Sequence, residues 1–186
     1  KHNKVKFNTN CAVQEIKVVN NEIDGIVING EYKKCDILIS GADYEHTESL
    51  LEKKYKQYSE NYWKSRTWSP SSLLFYLGLN KKLKNLDHHN LFFDTDFDKP
   101  SDEIYSNPKW PNDPLFYLNI TTKTNSHTAP PGNENCFILI TIATDIKDSE
   151  ELREKYFKII LKRIKDVSGN DIEKNIIYKR SYCVND

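Results

Sequence analysis

The chain has 186 residues, enough for one ordinary domain with a real core, and it carries 27 basic and 27 acidic side chains. This balance argues against a nucleic-acid partner, because phosphate binding requires a basic surplus or a basic stripe. The chain opens with Lys1, contains no methionine, and shows no signal peptide and no long apolar run. We therefore interpret it as an excised internal fragment that does not itself span a membrane but can lie on one.

The first forty residues predict a three-stranded antiparallel meander. Asn29-Gly30 is the strongest turn signal, since both central residues of a tight type I′ hairpin need positive φ, and Asn20-Asn21 offers a second turn. The third strand is expected over 32–39. It ends in the apolar run Ile37-Leu38-Ile39, which is typical of a strand covered on both faces, so we expect it to be able to enter a deeper sheet.

The next segment predicts a helix, followed by a sheet of long strands. Leu51, Tyr55, Tyr58 and Tyr62 have helical spacing and would share one helix face. Further strands are expected at 71–79, 90–94, 115–120, 136–143 and 175–182. Together these elements predict an α+β fold with a mixed or antiparallel sheet and flanking helices.

A second helix is expected after position 148. Asp148 can cap it, with Glu151 completing a capping box, and Gly169 is placed to end it. The apolar positions between them recur at helical spacing, which predicts that one face of this helix packs on the sheet.

Two patterns were considered as metal sites and rejected. Asp94, Asp96 and Asp98 have the spacing of the first ligands of a calcium loop, but Lys99 stands where glycine is required and Tyr105 where glutamate is required. His88 and His89, if in a strand, would point to opposite faces and could not share an ion. The sequence therefore predicts no metal site.

The cysteines indicate a reducing environment. Cys11, Cys35, Cys136 and Cys183 form no CxxC motif, so neither zinc binding nor disulfide exchange is suggested, and buried free thiols in the cytoplasm are expected. The chain also lacks a Ser-His-Asp arrangement, a P-loop and a GxGxxG turn. Its 11 Tyr, 8 Phe and 3 Trp fit either a well-filled core or the lining of a large apolar ligand site.

Several stretches, in order along nearly the whole chain, resemble the phytoene and carotenoid desaturase family, which is similar to the wider flavin amine oxidases. The stretches are 40–44 with 46–48, 58–63, 69–79, 88–93, 151–156 and 178–183. No single motif is diagnostic, but the ordered set is specific. The resemblance implies an FAD-dependent enzyme that desaturates phytoene-type precursors towards lycopene, with a long apolar polyene as substrate and a membrane surface as partner.

The resemblance also implies a division of the chain. Residues 1–45 would be part of an incomplete, Rossmann-like FAD-binding domain that contributes the meander, and 46–186 the substrate-side domain. Backbone groups at Val13 would contact the adenine of FAD, and Ala42 and Asp43 would lie near the cofactor. Val13 could instead be a core strand residue and Asp43 a helix cap. Since the GxGxxG turn that holds the pyrophosphate is absent from this chain, the fragment alone is expected to be inactive.

On the substrate side, Phe75, Leu77, Phe92 and Tyr117 are the candidate residues for contacting the polyene, with the hydrophobic core as their alternative location. No residue is assigned as catalytic acid or base. A related carotenoid isomerase, a carotenoid 3,4-desaturase and a non-catalytic binder of hydrophobic ligands remain as alternative functions. The resemblance places the protein in the cytoplasm, peripherally associated with a membrane.

Overall fold

The computed structural model describes residues 5–186 and confirms the α+β class. The chain divides into two compact units, one that ends at Thr67 and one that covers Trp68–Asp186. Each unit has its own sheet. The assignment of residues 1–45 to a flavin-binding domain and of 46–186 to a substrate-side domain stays a prediction.

The first unit contains the predicted meander. Its strands are β1 (Val13–Val19), β2 (Glu22–Ile28) and β3 (Glu31–Lys34), antiparallel and in that order. Both predicted turns are confirmed by positive φ angles, 50° and 65° at Asn20-Asn21 and 51° and 78° at Asn29-Gly30. These asparagines and the glycine adopt the left-handed conformation at little cost, which fixes the two hairpins.

The prediction of a covered strand up to Ile39 is wrong. β3 ends at Lys34, which pairs with Gly25, and the last backbone bond joins Cys35 N to Asp24 O at 3.3 Å. Beyond that point the chain leaves β2 and has no strand partner within residues 5–186. The apolar run is consequently not buried, and Ile39 is 90% exposed.

The single helix expected from the tyrosine spacing is also not formed. The segment instead contains α1 (Tyr44–Ser49), a short 3-10 turn (Lys53–Tyr55) and α2 (Glu60–Lys64). The rings of Tyr58 and Tyr62 stack with centroids 4.1 Å apart. The spacing thus reflects aromatic contacts between short pieces of chain rather than one face of a continuous helix.

The second unit contains an antiparallel five-stranded sheet, and the predicted strands are confirmed with shifts of a few residues. In chain order its strands are β4 (Ser71–Leu79), β5 (His89–Phe92), β6 (Phe116–Asn119), β7 (Glu134–Ile142) and β8 (Ile176–Tyr182). Their spatial order is β5-β6-β7-β4-β8, so β5 and β8 are the edge strands. The longest ladder joins β4 and β7 in the middle of the sheet, where Phe75 pairs with Ile138.

Two further helices, α3 (Asp98–Tyr105) and α4 (Glu150–Ser168), accompany the sheet. The N-cap of α4 is Ser149, whose Oγ accepts from Leu152 N at 3.2 Å, and not Asp148 as predicted. The Asp148 carboxylate binds Arg153 instead. Gly169 ends the helix as predicted, with φ of 75°.

The core of the second unit lies between one face of the sheet and α4. Tyr156, Phe157, Ile160 and Ile164 of the helix are buried in it, and the Phe157 ring lies 4.9 Å from that of Phe75 in β4. Within the described residues, no helix is long and apolar enough to cross a lipid bilayer.

Candidate functional site

The five-stranded sheet has two faces of different character. Along β4 and β7 alternate residues are fully buried and the residues between them are only partly covered. Because successive side chains of a strand point to opposite sides, this alternation separates a core face, covered by α4, from an open face.

Three of the four predicted substrate residues lie on the core face. Phe75, Leu77 and Phe92 are exposed by only 1%, 2% and 4%. Phe92 stacks on Phe116, with ring centroids 4.1 Å apart. These three side chains occupy the alternative location that the sequence left open for them, the hydrophobic core.

The fourth predicted residue, Tyr117, lies on the open face. Its neighbour Leu118 is buried in the core, whereas Tyr117 itself is half-buried, and it pairs across the strands with Leu91 and Leu139. The structure therefore does not bring the four predicted residues together. A polyene that contacts Tyr117 cannot at the same time contact Phe75 through the sheet.

The open face is rich in aromatic and aliphatic side chains. Its apolar members are Leu74 and Tyr76 of β4, Leu91 of β5, Tyr117 of β6, Phe137 and Leu139 of β7, and Tyr178 and Tyr182 of β8. The strand registers align them in rows. One row crosses the sheet from Leu91 through Tyr117, Leu139 and Leu74 to Tyr182. Such a row offers a continuous apolar strip perpendicular to the strands.

A cavity of about 450 Å³ opens on this face. Tyr76, Phe137 and Tyr178 contribute rings to its wall, and Asn119 and Asn135 contribute amides. This size falls in the range of small-molecule sites, which are mostly apolar with a few placed polar groups. The arrangement suits an elongated apolar ligand that carries little polarity.

One polar part of the open face is a connected group on β5 and β6, and Arg180 of β8, which pairs with Tyr76, adds a charge elsewhere on this face. His89 Nδ1 lies 2.5 Å from Tyr117 Oη, and Asn119 Nδ2 donates to the same oxygen at 2.7 Å. In the contact between His89 and Tyr117 the histidine tautomer decides which of the two atoms donates. The group fixes the orientation of both Tyr117 and Asn119.

The two adjacent histidines do not point apart as predicted. His88 lies just before β5 rather than within it, and its ring stacks on that of His89 with centroids 4.2 Å apart. Its Nδ1 lies 2.6 Å from Thr124 Oγ1. The alternation rule holds only inside a strand, and here the strand begins one residue later.

The described residues contain no cluster of three or more His, Cys, Asp or Glu side chains suited to a metal ion. The acidic turn has a structural contact instead, because Asp94 binds Arg163 of α4. That hydrogen bond lowers the pKa of the Asp94 carboxyl.

Other ionisable groups of the second unit are structural as well. Arg153 donates from Nε to Asp148 at 2.8 Å and pairs with Asp186 at 2.8 Å, and its contact lowers the pKa of the Asp148 carboxyl. Burial raises the pKa of the thiols of Cys136 to about 12 and Cys183 to about 11. These thiols remain protonated at neutral pH and are poor nucleophiles.

The three residues predicted to face FAD lie in the first unit. Val13 is the first residue of β1 and pairs with Ile28, Ala42 is exposed, and Asp43 caps α1 by accepting from His46 N at 3.2 Å. The capping alternative for Asp43 is thus confirmed. Its carboxylate occupies the helix N-terminus, which therefore does not fit a phosphate. The contacts of Val13 and Ala42 with FAD, and the position of Asp43 near the cofactor, stay predictions.

Sequence reasoning missed most of the open face. In the run Ser71–Leu79 both alternate sets are apolar, so the pattern alone does not tell which set faces the helix. One usable signal was Gly78, since a glycine inside a strand often marks a close approach by a ligand or by another chain segment. It points to the set that contains Tyr76.

Comparison with known proteins gives named relatives over nearly the whole chain. The chain is 34% identical over 183 residues to a carotenoid 3,4-desaturase of Haloarcula japonica, an alignment that covers 98% of this chain and 37% of that protein. It is 28% identical over 149 residues to a phytoene desaturase of Fusarium fujikuroi, with 78% of this chain and 26% of that protein covered. The chain therefore spans roughly a third of the length of the relatives it matches.

A solved structure shares the fold. An oxidoreductase from Methanosarcina mazei superposes with a TM-score of 0.56 and 15% identity, over 93% of this chain and 37% of that one. At this identity the likeness concerns the fold alone. No protein-family profile matches the chain.

Proposed function

Because this chain belongs to the carotenoid desaturase family of oxidoreductases, we propose that it forms the substrate-side sheet of a flavin-dependent carotenoid desaturase. The resemblance found in the sequence is confirmed by the named relatives, which cover most of the chain. The activity, substrate and cofactor of the whole protein are part of the proposal.

The observation that carries the proposal is the open face of the sheet. A carotenoid hydrocarbon offers no hydrogen-bonding groups, so a protein can recognise it only by apolar area and shape, at about 25 cal/mol per Å² buried. The strip of Leu and Tyr side chains across β5, β6, β7, β4 and β8 supplies that area. Tyr117 is the one originally predicted substrate residue that belongs to it.

The flavin would be held mainly by parts of the longer protein outside this sequence. Residues 1–45 would contribute an edge of the flavin domain, with backbone groups of Val13 near the adenine. The redox chemistry belongs to the cofactor, and the sheet would align the substrate. We therefore expect a chain restricted to the 186 residues to be inactive.

Two substrates compete within the family. The higher identity to a carotenoid 3,4-desaturase, 34% against 28% for a phytoene desaturase, favours 3,4-desaturation over the step from phytoene towards lycopene. A carotenoid isomerase and a non-catalytic polyene binder remain the alternatives. Either substrate dissolves in lipid, so we propose that the protein works at a membrane surface.

The test is product analysis in bacterial cells that make phytoene or lycopene and express the full-length protein. In the lycopene strain, a new pigment whose absorption maximum lies at longer wavelength than that of lycopene supports 3,4-desaturation. In the phytoene strain, a coloured product supports the desaturation of phytoene. Unchanged pigments in both strains, with folded protein present, would contradict desaturation.

A pair of variants links the activity to the open face. Phe137→Lys places a charge on the open face beside the proposed substrate strip and is expected to abolish product. Val167→Lys adds the same charge on α4, where the side chain is 59% exposed, and is expected to leave the product unchanged. Equal activity of the two variants would show that the open face does not contribute to the reaction.

A further inference from the structure

The two edges of the five-stranded sheet differ on the side of the open face. At the β8 edge, Arg180 is exposed and pairs with Tyr76, and its guanidinium lies 4.8 Å from the ring centre of Tyr182. At the β5 edge, Leu91 begins the apolar strip and is 64% exposed. Removing a guanidinium from water costs free energy, whereas removing a leucine from water gains it. The β5 edge therefore suits contact with an apolar environment better than the β8 edge does.

Two aromatic rings extend the exposed apolar surface beyond Leu91. Phe93 follows the last residue of β5 and is 57% exposed, and Phe97 is 62% exposed. The centres of the two rings lie 6.2 Å apart in an edge-to-face contact. Together Leu91, Phe93 and Phe97 form the β5 patch. Adjoining exposed side chains of this kind mark an interaction surface, unlike the single apolar residues that every protein exposes.

The neighbours of Phe93 fix the side to which its ring points. Phe92 is buried in the core, and the Asp94 carboxylate binds Arg163 of α4, the helix that covers the core face. Both neighbours are directed to the core side, so Phe93, which lies between them, is directed to the side of the open face. The β5 patch consequently continues the apolar strip outward from Leu91 and is not a separate surface.

Two carboxylates lie beside the β5 patch. Asp96 and Asp98 stand on either side of Phe97 in the sequence and are exposed, and Asp96 Oδ1 accepts from Asp98 N at 3.0 Å. Carboxylates at this place repel anionic lipid headgroups and attract the ammonium groups of zwitterionic headgroups. The charge around the patch thus favours a zwitterionic lipid surface.

We propose that the β5 patch inserts into the surface of a zwitterionic lipid bilayer, and that the polyene passes from the bilayer onto the apolar strip at Leu91. The inference rests on the proposed function, because a substrate dissolved in lipid must reach the strip from a membrane. Phe and Leu side chains of proteins that lie on bilayers are buried at the boundary between headgroups and acyl chains. The continuity of patch and strip gives the substrate an apolar route that does not cross water.

The experiment measures partition of the full-length protein onto phosphatidylcholine vesicles by flotation, without substrate. The double variant Phe93→Ser with Phe97→Ser is expected to bind about tenfold more weakly or worse, because it lacks the apolar area that lipid would bury. Phe93→Leu with Phe97→Leu keeps apolar side chains and is expected to retain most of the binding. As a control, Tyr178→Ser removes a similarly exposed ring at the β8 edge and is expected to bind like the wild type.

Lipid composition and salt test the chemistry of the contact. Because the insertion is apolar, binding is expected to persist at high salt and to be no stronger when phosphatidylglycerol replaces part of the phosphatidylcholine. Binding that requires phosphatidylglycerol and disappears at high salt would overturn the proposal. It would indicate the exposed lysines of α4, Lys155, Lys158 and Lys162, as the contact instead.

Urea denaturation distinguishes lipid from a protein occupant of the β5 patch. The serine double variant is expected to unfold at the same urea concentration as the wild type, since exposed positions contribute little to stability. A clearly lower concentration would show that another part of the longer protein covers the two rings. That result, or vesicle binding that is unchanged in the serine variant, would overturn the proposal.

The proposed function is measured separately, by product analysis. If the full-length protein binds vesicles through the β5 patch but forms no desaturated product, the membrane contact stands and only the proposed reaction fails. If the wild type forms product while the serine variant binds vesicles as well as the wild type does, the reaction stands and the membrane contact fails.

Discussion

The core face and the open face of the five-stranded sheet are built from neighbouring residues of the same strands, yet they are used differently. Phe75 on the core face is exposed by 1%, whereas Tyr76, the next residue, is exposed by 41%. The helix α4 seals one side, and the other side keeps an aromatic surface with a cavity. Apolar composition therefore does not identify a ligand surface, and the covering element decides which face remains available.

The largest effect on stability is expected from a substitution that removes a side chain from the core face. Phe75→Ala removes a ring that packs against Phe157 and is expected to lower the free energy of unfolding by about 3–5 kcal/mol. Urea denaturation measures the change. A loss below ~1 kcal/mol would mean that α4 does not seal this face as described.

The next effect concerns the ion pair beside α4. Arg153→Leu leaves the Asp148 carboxylate, which is 1% exposed, without its partner, and is expected to cost about 3 kcal/mol of stability. Because the pKa of Asp148 is lowered in the folded protein, the pair stabilises the fold above about pH 4 and less as the pH falls through that pKa. Wild type and variant should therefore converge in acid, which thermal unfolding between pH 7 and pH 2 can check.

A substitution on the open face should lower ligand affinity and leave the stability nearly unchanged. Tyr76→Ala is expected to change the free energy of unfolding by less than ~1 kcal/mol, as for other exposed positions. Polyene affinity should fall about tenfold with the lost apolar area. Fluorescence quenching on the full-length protein measures the affinity. Equal losses of stability in Tyr76→Ala and Phe75→Ala would contradict the distinction between the faces.

The smallest effect on stability is expected from a change at the N-terminus of α4, the helix that covers the core face. Ser149→Ala removes the N-cap of α4, whose Oγ accepts from Leu152 N, and is expected to cost ~1 kcal/mol. If Asp148 were the cap instead, Ser149→Ala would leave the stability unchanged. Urea denaturation of Ser149→Ala beside the wild type measures the difference.

Much of the fold was predictable because the signals were local. Asn29-Gly30 and Gly169 adopt positive φ where a turn and a helix end were expected. The strand at 71–79 was placed from its apolar run alone. In each case the physical cause, a left-handed backbone conformation or a run of buried side chains, lies within a few residues of the signal.

The predictions that were wrong have a different cause. Tyr58 and Tyr62 have helical spacing because their part of the chain builds a ring cluster, and Ile37-Leu38-Ile39 has no partner strand among residues 5–186. For the candidate site, Phe75 and Tyr76 could not be told apart, since the choice of face depends on where α4 packs. The covering of a surface is a property of distant residues, and local patterns do not contain it.

The position of β8 at the sheet border has a practical consequence. An outermost strand presents backbone N–H and C=O groups to which a neighbouring polypeptide can attach, which is a route to fibrils when a protein is produced in quantity. Lys179 and Arg180 lie in the middle of that strand, and such charges discourage stacking of identical copies. Replacing both residues with threonine would remove these charges and is expected to increase aggregation of the expressed protein.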